Sequence, residues 1–190
     1  EQGYQLVMGT GPEEETLLRE CADCDGALTR NGKFSARVFD ACPNLKVVSM
    51  HGIGVDGIDV EAATARGIQV CNAAESNQRS VAEYAIGLIL MLAKQSVTYH
   101  NGLKSGQMAD VRKVYGSDVS GKTLGIIGMG NIGTQVARMA AHGLGMKVVG
   151  YSRRITKDQE MDFGVLTPDM KKVISGADYL SLHLPGTGST

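Results

Sequence analysis

Three glycines at fixed spacing point most directly to chemistry in this sequence. Gly128, Gly130 and Gly133 follow an apolar run at residues 123–127 and open a stretch with helical spacing of apolar side chains. In a strand–turn–helix unit this spacing makes a tight turn, lets the backbone approach a pyrophosphate, and seats the helix closely on the sheet. Unpaired N–H groups at the helix start then favour the phosphate charge. The pattern predicts dinucleotide contacts at Gly128, Gly130, Asn131, Ile132 and Gly133.

A second group of residues bears on which dinucleotide is bound. Residues 147–151 predict the next strand, and an acid that bonds the adenosine ribose 2′-hydroxyl belongs just after it. Ser152, Arg153 and Arg154 stand there instead. A hydroxyl beside two guanidinium groups suits a 2′-phosphate, which an acid would repel. The sequence therefore favours NADP(H) over NAD(H), and leaves open that the arginines only form a solvated strand end.

Composition and charge limit the class of protein. The chain has 190 residues, 43% of them hydrophobic, enough for one or two domains with a buried core. A formal net charge of −1 offers no basic field for nucleic acid, and the longest apolar stretch, residues 85–93, is too short for a membrane span. No signal peptide is visible. We expect a soluble cytoplasmic protein without a nucleic-acid or membrane partner.

The four cysteines are too few for a disulfide scaffold in a chain of this size. Cys21 and Cys24 have the spacing of some zinc and thiol-redox sites, but no second pair and no histidine at ligand spacing accompanies them. We therefore expect structural, reduced thiols and no metal site, which fits a cytoplasmic protein.

Short apolar runs alternate with helical patterns before the glycine motif. The predicted strands are residues 4–8, 26–29, 46–50 and 68–71, and the predicted helices between them are residues 13–21, 35–41 and 60–65. Such alternation is typical of a parallel sheet.

A longer helix is predicted to begin near Ser80, because Ser80 and Glu83 match the two ends of a capping box. Its apolar face, which we expect to pack in the core, comprises Val81, Tyr84, Ala85, Leu88 and Leu92. A polar segment follows at residues 101–121. Two domains are predicted, at residues 1–95 and 96–190.

The residues after 151 complete only part of a dinucleotide unit. After residue 151 a loop leads through residues 170–174 into a third apolar strand at residues 179–182. Because a doubly wound dinucleotide domain has about six strands, the predicted strands correspond to its first half. The fold class is thus α/β with two parallel-sheet domains, and the free edge strand is an aggregation liability.

Six segments occur together in the order and spacing of one known family: residues 51–59, 62–70, 76–83, 121–133, 145–148 and 183–185. Through them the chain resembles the D-isomer-specific 2-hydroxyacid dehydrogenases, the family of D-3-phosphoglycerate dehydrogenase, glyoxylate/hydroxypyruvate reductase and formate dehydrogenase. The resemblance implies a flavodoxin-like substrate domain before a Rossmann dinucleotide domain, and hydride transfer between NAD(P)H and a small 2-oxo or 2-hydroxy acid. It also implies a homodimer, and a chain that is incomplete at both ends.

Candidate binding residues follow from the same resemblance. Ile53 and Gly54 belong to a Gly-x-Gly segment whose open N–H groups suit the substrate carboxylate, although a tight strand-to-helix turn also explains its glycines. Asn77 matches an amide near the substrate, or else a helix-start residue. Leu184 and Pro185 match positions that contact the cofactor.

No catalytic residue is predicted within the chain. The family's catalytic Arg, acid and His would lie beyond Thr190. His51 precedes the Gly-x-Gly segment, where it is expected to line the cleft, but it does not match the family's catalytic histidine position. None of His100, His142 and His183 looks like a proton donor.

The choice of substrate depends on two positions. Members that use phosphoglycerate usually carry an Arg just before the Gly-x-Gly segment, where this chain has Met50, although Arg30 matches another basic position. With residues 152–154, this favours an NADPH-dependent reductase of glyoxylate, hydroxypyruvate or a similar 2-oxo acid, with phosphoglycerate dehydrogenase as a close competitor. The alternative from another class is a non-catalytic dinucleotide sensor resembling the dehydrogenase-like transcriptional corepressors.

Overall fold

The computed structural model describes residues 3–107 and 112–184, which divide into two compact units between Ser76 and Asn77. The predicted boundary near residue 96 lies well beyond this division. The difference arises because helix α4 (Gln78–Ala93) buries Ala82, Ile89 and Ala93 in the core of the second unit.

The first unit is a parallel three-stranded sheet with short helices. Its strands β1 (Gly26–Thr29), β2 (Val47–Met50) and β3 (Gln69–Asn72) lie in sequence order, and each neighbouring pair is parallel. The helices are α1 (Glu14–Glu20), α2 (Ala36–Ala41) and α3 (Val60–Ala65). The alternation of strands and helices from residue 26 onward is confirmed.

Polar caps fix the starts of two of these helices. The Ser35 hydroxyl accepts the Val38 N–H at 3.4 Å, and the Asp59 carboxylate accepts the Ala62 N–H at 2.9 Å. Each satisfies a backbone donor that the first helical turn leaves without a partner. The caps thereby set where the chain turns from strand to helix, and so where each connecting loop ends.

The predicted strand at residues 4–8 is wrong. The segment has no regular secondary structure, and Tyr4, Leu6 and Met8 are at least 80% exposed. Apolar composition alone does not make a strand, because a strand is stabilised by pairing and by the surface its side chains cover. No strand in the described residues pairs with this segment.

The second unit contains a five-stranded sheet in the order β6-β7-β5-β4-β8. Four strands are parallel: β7 (Gly164–Thr167), β5 (Lys147–Tyr151), β4 (Thr123–Ile127) and β8 (Tyr179–Leu182). In chain order they run third, second, first and fourth, which is the order of the first half of a dinucleotide-binding domain. The predicted α/β fold with two parallel sheets is confirmed.

The hairpin of β6 (Gln159–Met161) and β7 is missing from the sequence prediction. Strand β6 is mostly polar, and the apolar residues of the hairpin, at positions 163–166, form a short run interrupted by Gly164, which does not stand out as a strand. Gly164 occupies the position after the turn with a φ of +143°, and a Cβ there would lie 2.2 Å from the Val148 carbonyl oxygen. The requirement for glycine at this position thus comes from the neighbouring strand β5, which the local sequence does not reveal.

Helices cover both faces of this sheet. The remaining helical elements are α5 (Ser96–Ser105), α6 (Asn131–Arg138), a π-helical turn at Met139–Gly143 that continues α6, and α7 (Met170–Gly176). Helices α4 and α6 pack together, while α7 packs on β4, where Gly125 lies against Val173 and Ala177.

Helix α4 begins and packs differently from the prediction. It starts after Asn77, and Glu83 pairs with Arg79 at 2.8 Å rather than closing a capping box with Ser80. The buried face contains Ala82, Ala85, Ile86, Ile89 and Ala93. Alanines on this face let α4 approach α6 closely.

The larger side chains of α4 consequently face outward. The exposed fractions are 37% for Val81, 69% for Tyr84, 43% for Leu88 and 67% for Leu92. Only Ala85 of the predicted core face packs against the core. The prediction that this face lies in the core is therefore wrong for its four larger residues.

The break between α4 and α5 lies at Gln95, a non-glycine residue with φ of +55°.

In the described part of the chain, no helix taken singly has the length and apolarity of a membrane span. Helices α4 and α5 reach those limits only when joined, across a bend of 64°.

Candidate cofactor and substrate site

Gly128 makes the turn that leaves the first strand of the dinucleotide unit. Its φ is +101°, and a Cβ at this position would lie 2.3 Å from the His183 carbonyl oxygen. Both the left-handed backbone and the neighbouring chain therefore require glycine. The turn is held against the carboxyl end of β8, where the His183 N–H donates to the Ile127 carbonyl at 2.8 Å.

Gly133 and Gly130 serve different purposes. A Cβ on Gly133 would lie 2.1 Å from the Gly128 carbonyl oxygen, so the first turn of α6 packs directly on the glycine turn. A Cβ on Gly130 would meet no atom within 4 Å. The first glycine shapes the turn and the last seats the helix, while the middle one leaves open space.

The start of α6 borders this open space with hydrogen-bond donors. Gly130 is the N-cap residue and forms no side-chain cap bond, and its carbonyl accepts the Thr134 N–H at 2.9 Å. Within the described residues, the N–H groups of Asn131, Ile132 and Gly133 donate no hydrogen bond. Free N–H groups and the helix dipole together favour an anion here.

The glycine turn lies where the strand order reverses. From β4 the chain passes through α6 to β5 on one side, whereas β8 lies on the other side of β4. In open parallel sheets, ligands bind at the carboxyl ends of the strands beside such a reversal. The turn and the free N–H groups of α6 therefore occupy the expected position for a dinucleotide.

His183 and Leu184 border the same edge of the sheet. His183 is half-buried, its Nε2 lies 2.9 Å from the Ser181 hydroxyl, and burial lowers its pKa. It therefore favours the neutral imidazole. A Cβ on Gly128 would lie 3.0 Å from Leu184 Cδ2, which places Leu184 against the turn. Pro185 lies outside the described residues.

Ser152, Arg153 and Arg154 follow β5 at the same end of the sheet as the glycine turn. The Ser152 N–H donates to the Thr167 carbonyl at 3.2 Å, and the Ser152 hydroxyl accepts the Arg154 N–H at 3.3 Å. Both guanidinium groups are exposed, and neither forms an ion pair within the described chain. Their charges are thus available to a ligand at this turn.

The Gly-x-Gly segment follows β2 in the first unit. The Gly52 carbonyl accepts the Ala73 N–H at 2.8 Å, and the Ile53 carbonyl accepts Nδ2 of Asn72 at 2.8 Å. The N–H groups of Gly52, Ile53 and Gly54 donate no hydrogen bond to any described residue. Such a run of open donors can hold a carboxylate. The sequence analysis did not identify Asn72 as a functional residue. The one feature that could have pointed to it is an amide side chain at the end of a predicted strand.

Asn77 stands at the N-cap position of α4, which agrees with its interpretation as a helix-start residue. Its side chain forms no cap hydrogen bond, and its backbone carbonyl accepts the Val81 N–H at 3.0 Å. The exposed amide therefore keeps its hydrogen-bonding capacity.

The Cys21 thiol is not activated as a nucleophile. Cys42 is buried, and burial, reinforced by Cys24 and Cys42, raises the pKa of the Cys21 thiol to about 11. A thiol that stays protonated near neutral pH is a poor nucleophile. Among residues 3–107 and 112–184, no group of three His, Cys, Asp or Glu side chains is arranged to hold a metal ion.

No histidine is set up as a proton donor in the described residues. His51 and His100 are exposed, and His142 Nε2 lies 2.8 Å from the Asp162 backbone carbonyl. None of these rings has a carboxylate within ion-pair distance in the described chain. The described residues of the two units therefore provide binding groups, and no catalytic acid–base pair is formed among them.

Comparison with known proteins agrees with this geometry. The sequence matches the profile of the D-isomer specific 2-hydroxyacid dehydrogenase catalytic domain over residues 1–182. It is 38% identical to D-3-phosphoglycerate dehydrogenase of Methanocaldococcus jannaschii over 100% of this chain and 36% of that protein. It is 34% identical to glyoxylate reductase of Korarchaeum cryptofilum over 94% of this chain and 55% of that protein.

A solved structure shows the same fold. The NAD-dependent formate dehydrogenase from Staphylococcus aureus, in complex with NAD, superposes with a TM-score of 0.80 at 26% identity, covering 93% of this chain and 53% of that chain. The chain thus spans between about a third and about half of the length of these relatives. On the profile match and the shared fold, the chain belongs to the D-isomer-specific 2-hydroxyacid dehydrogenase family.

Proposed function

We propose that the chain supplies the cofactor turn and the substrate-carboxylate cradle of an NADPH-dependent reductase of small 2-oxo acids. The observation that carries this proposal is the glycine turn at the strand-order reversal, with open space at Gly130 beside free N–H groups of α6. The dehydrogenase and reductase relatives support the enzyme over the dinucleotide sensor.

The residues present fit a nicotinamide dinucleotide. When bound, the dinucleotide supplies the hydride that reduces the C2 carbonyl of the substrate. The α6 N–H groups bind its pyrophosphate, and Gly130 leaves room because it has no side chain. The open N–H groups of Ile53 and Gly54 bind the substrate carboxylate.

The preference for NADP(H) rests on the turn after β5. Arg153 and Arg154 present exposed charges with no ion-pair partner in the described chain, and Ser152 adds a hydroxyl. These groups would bind a 2′-phosphate through charge-assisted hydrogen bonds. NAD(H) is the competing cofactor, and the formate dehydrogenase relative contains NAD.

The proposed substrates are glyoxylate and hydroxypyruvate, ahead of 3-phosphohydroxypyruvate. Met50 is 4% exposed, so the position before the Gly-x-Gly segment offers neither a cation nor a surface for a phosphate. Arg30, just after β1, is exposed and remains a basic group at the strand ends of this unit. The D-3-phosphoglycerate dehydrogenase relative keeps the phosphorylated substrate as the second candidate.

We also infer a homodimer. The outward face of α4 carries Tyr84, Leu88 and Leu92, each at least 43% exposed. A second copy of the chain would cover this apolar surface. The expected cytoplasmic location, and the absence of nucleic-acid and membrane partners, stay predictions.

The proposed function is tested by steady-state kinetics of the complete encoded protein. Glyoxylate, hydroxypyruvate and 3-phosphohydroxypyruvate are each assayed with NADPH and with NADH. We expect the highest kcat/KM for an unphosphorylated substrate with NADPH. Absence of reduction with every pair would refute the enzyme, and an equal or better kcat/KM with NADH would refute the cofactor preference.

A further inference from the structure

Asn72 is the last residue of β3 and lies beside the Gly-x-Gly segment. Its side chain is exposed, yet its amide Nδ2 donates to the Ile53 carbonyl at 2.8 Å. This bond joins residues 19 positions apart and connects the end of β3 to the segment after β2. Because the bond is exposed, we expect it to fix the backbone orientation of the Gly-x-Gly segment and to contribute little to the packing of the core.

The bond fixes the direction of a single N–H group. In a trans peptide the carbonyl and the N–H point in opposite directions, and the chain contains no cis peptide among its described residues. Because the Ile53 carbonyl points to Asn72, the Gly54 N–H points away from Asn72. The Gly52 carbonyl accepts the Ala73 N–H, so the Ile53 N–H likewise points away from the end of β3.

Without such an anchor, the peptide between Ile53 and Gly54 could turn over at low cost. That movement changes ψ of Ile53 and φ of Gly54, and glycine adopts positive φ as readily as negative φ. The segment lies outside helices and strands, so no ladder of hydrogen bonds holds it. The Asn72 amide is the only side chain among the described residues that bonds this peptide.

We propose that Asn72 is a positioning residue that orients the Gly54 N–H toward the carboxylate of a 2-oxo acid. The inference rests on the proposed function of the Gly-x-Gly segment as the substrate cradle. Asn72 acts through the backbone and keeps two consecutive donors parallel. Its removal weakens substrate binding and leaves cofactor binding intact.

The test uses Asn72→Ala and Asn72→Asp in the complete encoded protein. Loss of one preorganised donor is expected to raise KM for glyoxylate about tenfold in Asn72→Ala. Asn72→Asp, which has the same shape but no N–H and a charge that repels the Ile53 carbonyl, is expected to raise it further. In both variants kcat should change less than about threefold and KM for NADPH should not change.

Gln69→Ala is the matched control. Gln69 begins the same strand, is also exposed, and donates its side-chain amide to the Val70 carbonyl at 3.4 Å. This control should leave all constants unchanged. An unchanged KM for glyoxylate in Asn72→Ala, or a parallel rise in KM for NADPH, overturns the positioning role.

A binding measurement separates this inference from the proposed function. Oxalate, a planar dicarboxylate, is titrated into the 15N-labelled protein while the amide signals of Ile53 and Gly54 are followed. We expect saturable shifts in the wild type and at least about tenfold weaker binding in Asn72→Ala. If the wild type reduces no 2-oxo acid, the proposed function fails, and this titration alone then tests whether Asn72 orients the carboxylate-binding N–H groups. Absence of shifts, or equal binding by both proteins, overturns the inference.

Discussion

Replacing Gly130 by valine should abolish dinucleotide binding and leave the fold intact. The backbone at Gly130 has φ of −87° and ψ of −161°, an extended conformation that any residue adopts, and a Cβ there meets no atom within 4 Å. Because valine is a poorer N-cap residue than glycine, we expect the free energy of unfolding to fall by about 1 kcal/mol, which leaves the protein folded.

The loss of binding follows from the same open space. The valine side chain would occupy the volume beside the free N–H groups of Asn131 and Ile132, and so keep a pyrophosphate from reaching them. Two charge-assisted hydrogen bonds contribute roughly 3 to 6 kcal/mol. Their loss should raise Kd for NADPH at least about a hundredfold.

Thermal unfolding and calorimetric titration with NADPH measure the two effects separately. Gly143→Val is the matched control, because a Cβ at Gly143 also meets nothing within 4 Å and this residue lies outside the site. The control should keep both Tm and Kd. A Gly130→Val protein that binds NADPH with the wild-type Kd would refute the placement of the pyrophosphate, and a large drop in Tm would refute the steric reasoning.

Further expectations concern the cofactor, the assembly and acid stability. Replacing Arg153 and Arg154 together by alanine should raise KM for NADPH about tenfold or more and leave KM for NADH unchanged, because the two arginines bind the 2′-phosphate, which NADH lacks. An equal rise in KM for both cofactors would contradict this. Leu88→Asp should convert a dimer to a monomer in light scattering while the chain keeps its far-UV circular dichroism, because Leu88 is 43% exposed in the single chain; a monomeric wild type would disprove the interface. The pKa of Asp178 is lowered, first by the backbone N–H it accepts and then by nearby lysines. Asp178→Ala should therefore lower Tm at pH 7. This deficit should shrink as the pH falls from about 4, where the carboxylate of the unfolded chain takes up a proton, through the lowered pKa of the folded state; a deficit independent of pH would refute this origin.

Local rules account for what the sequence predicted well. The spacing of Gly128, Gly130 and Gly133 encodes a turn whose constraints act over a few residues, and the structure displays each constraint separately. Alternating strands and helices likewise predicted two parallel sheets, since parallel strands require crossover connections. Such features depend little on distant parts of the chain.

The errors arose where a distant partner decides the outcome. The buried face of α4, which contains Ala82 and Ala93, is decided by how the helix packs in the core of the second unit, and a helix with apolar residues all around it does not specify that face. The segment at residues 4–8 lacks a pairing strand in the described chain. Asn72 was not recognised because its partner, Ile53, is distant in sequence.

The two edge strands of the second sheet, β6 and β8, differ in how readily they can pair with a further strand. With only three residues, all exposed, β6 is a short polar margin that offers little backbone for another strand. At the opposite margin β8 pairs only with β4 among the described strands, and Leu180 and Leu182 are exposed there. The margin at β8, next to the turn at Gly128, is therefore the favoured place for a strand that extends this sheet. A strand added there would lie beside the turn to which we assign the dinucleotide, so that extension of the sheet would also help to enclose that ligand.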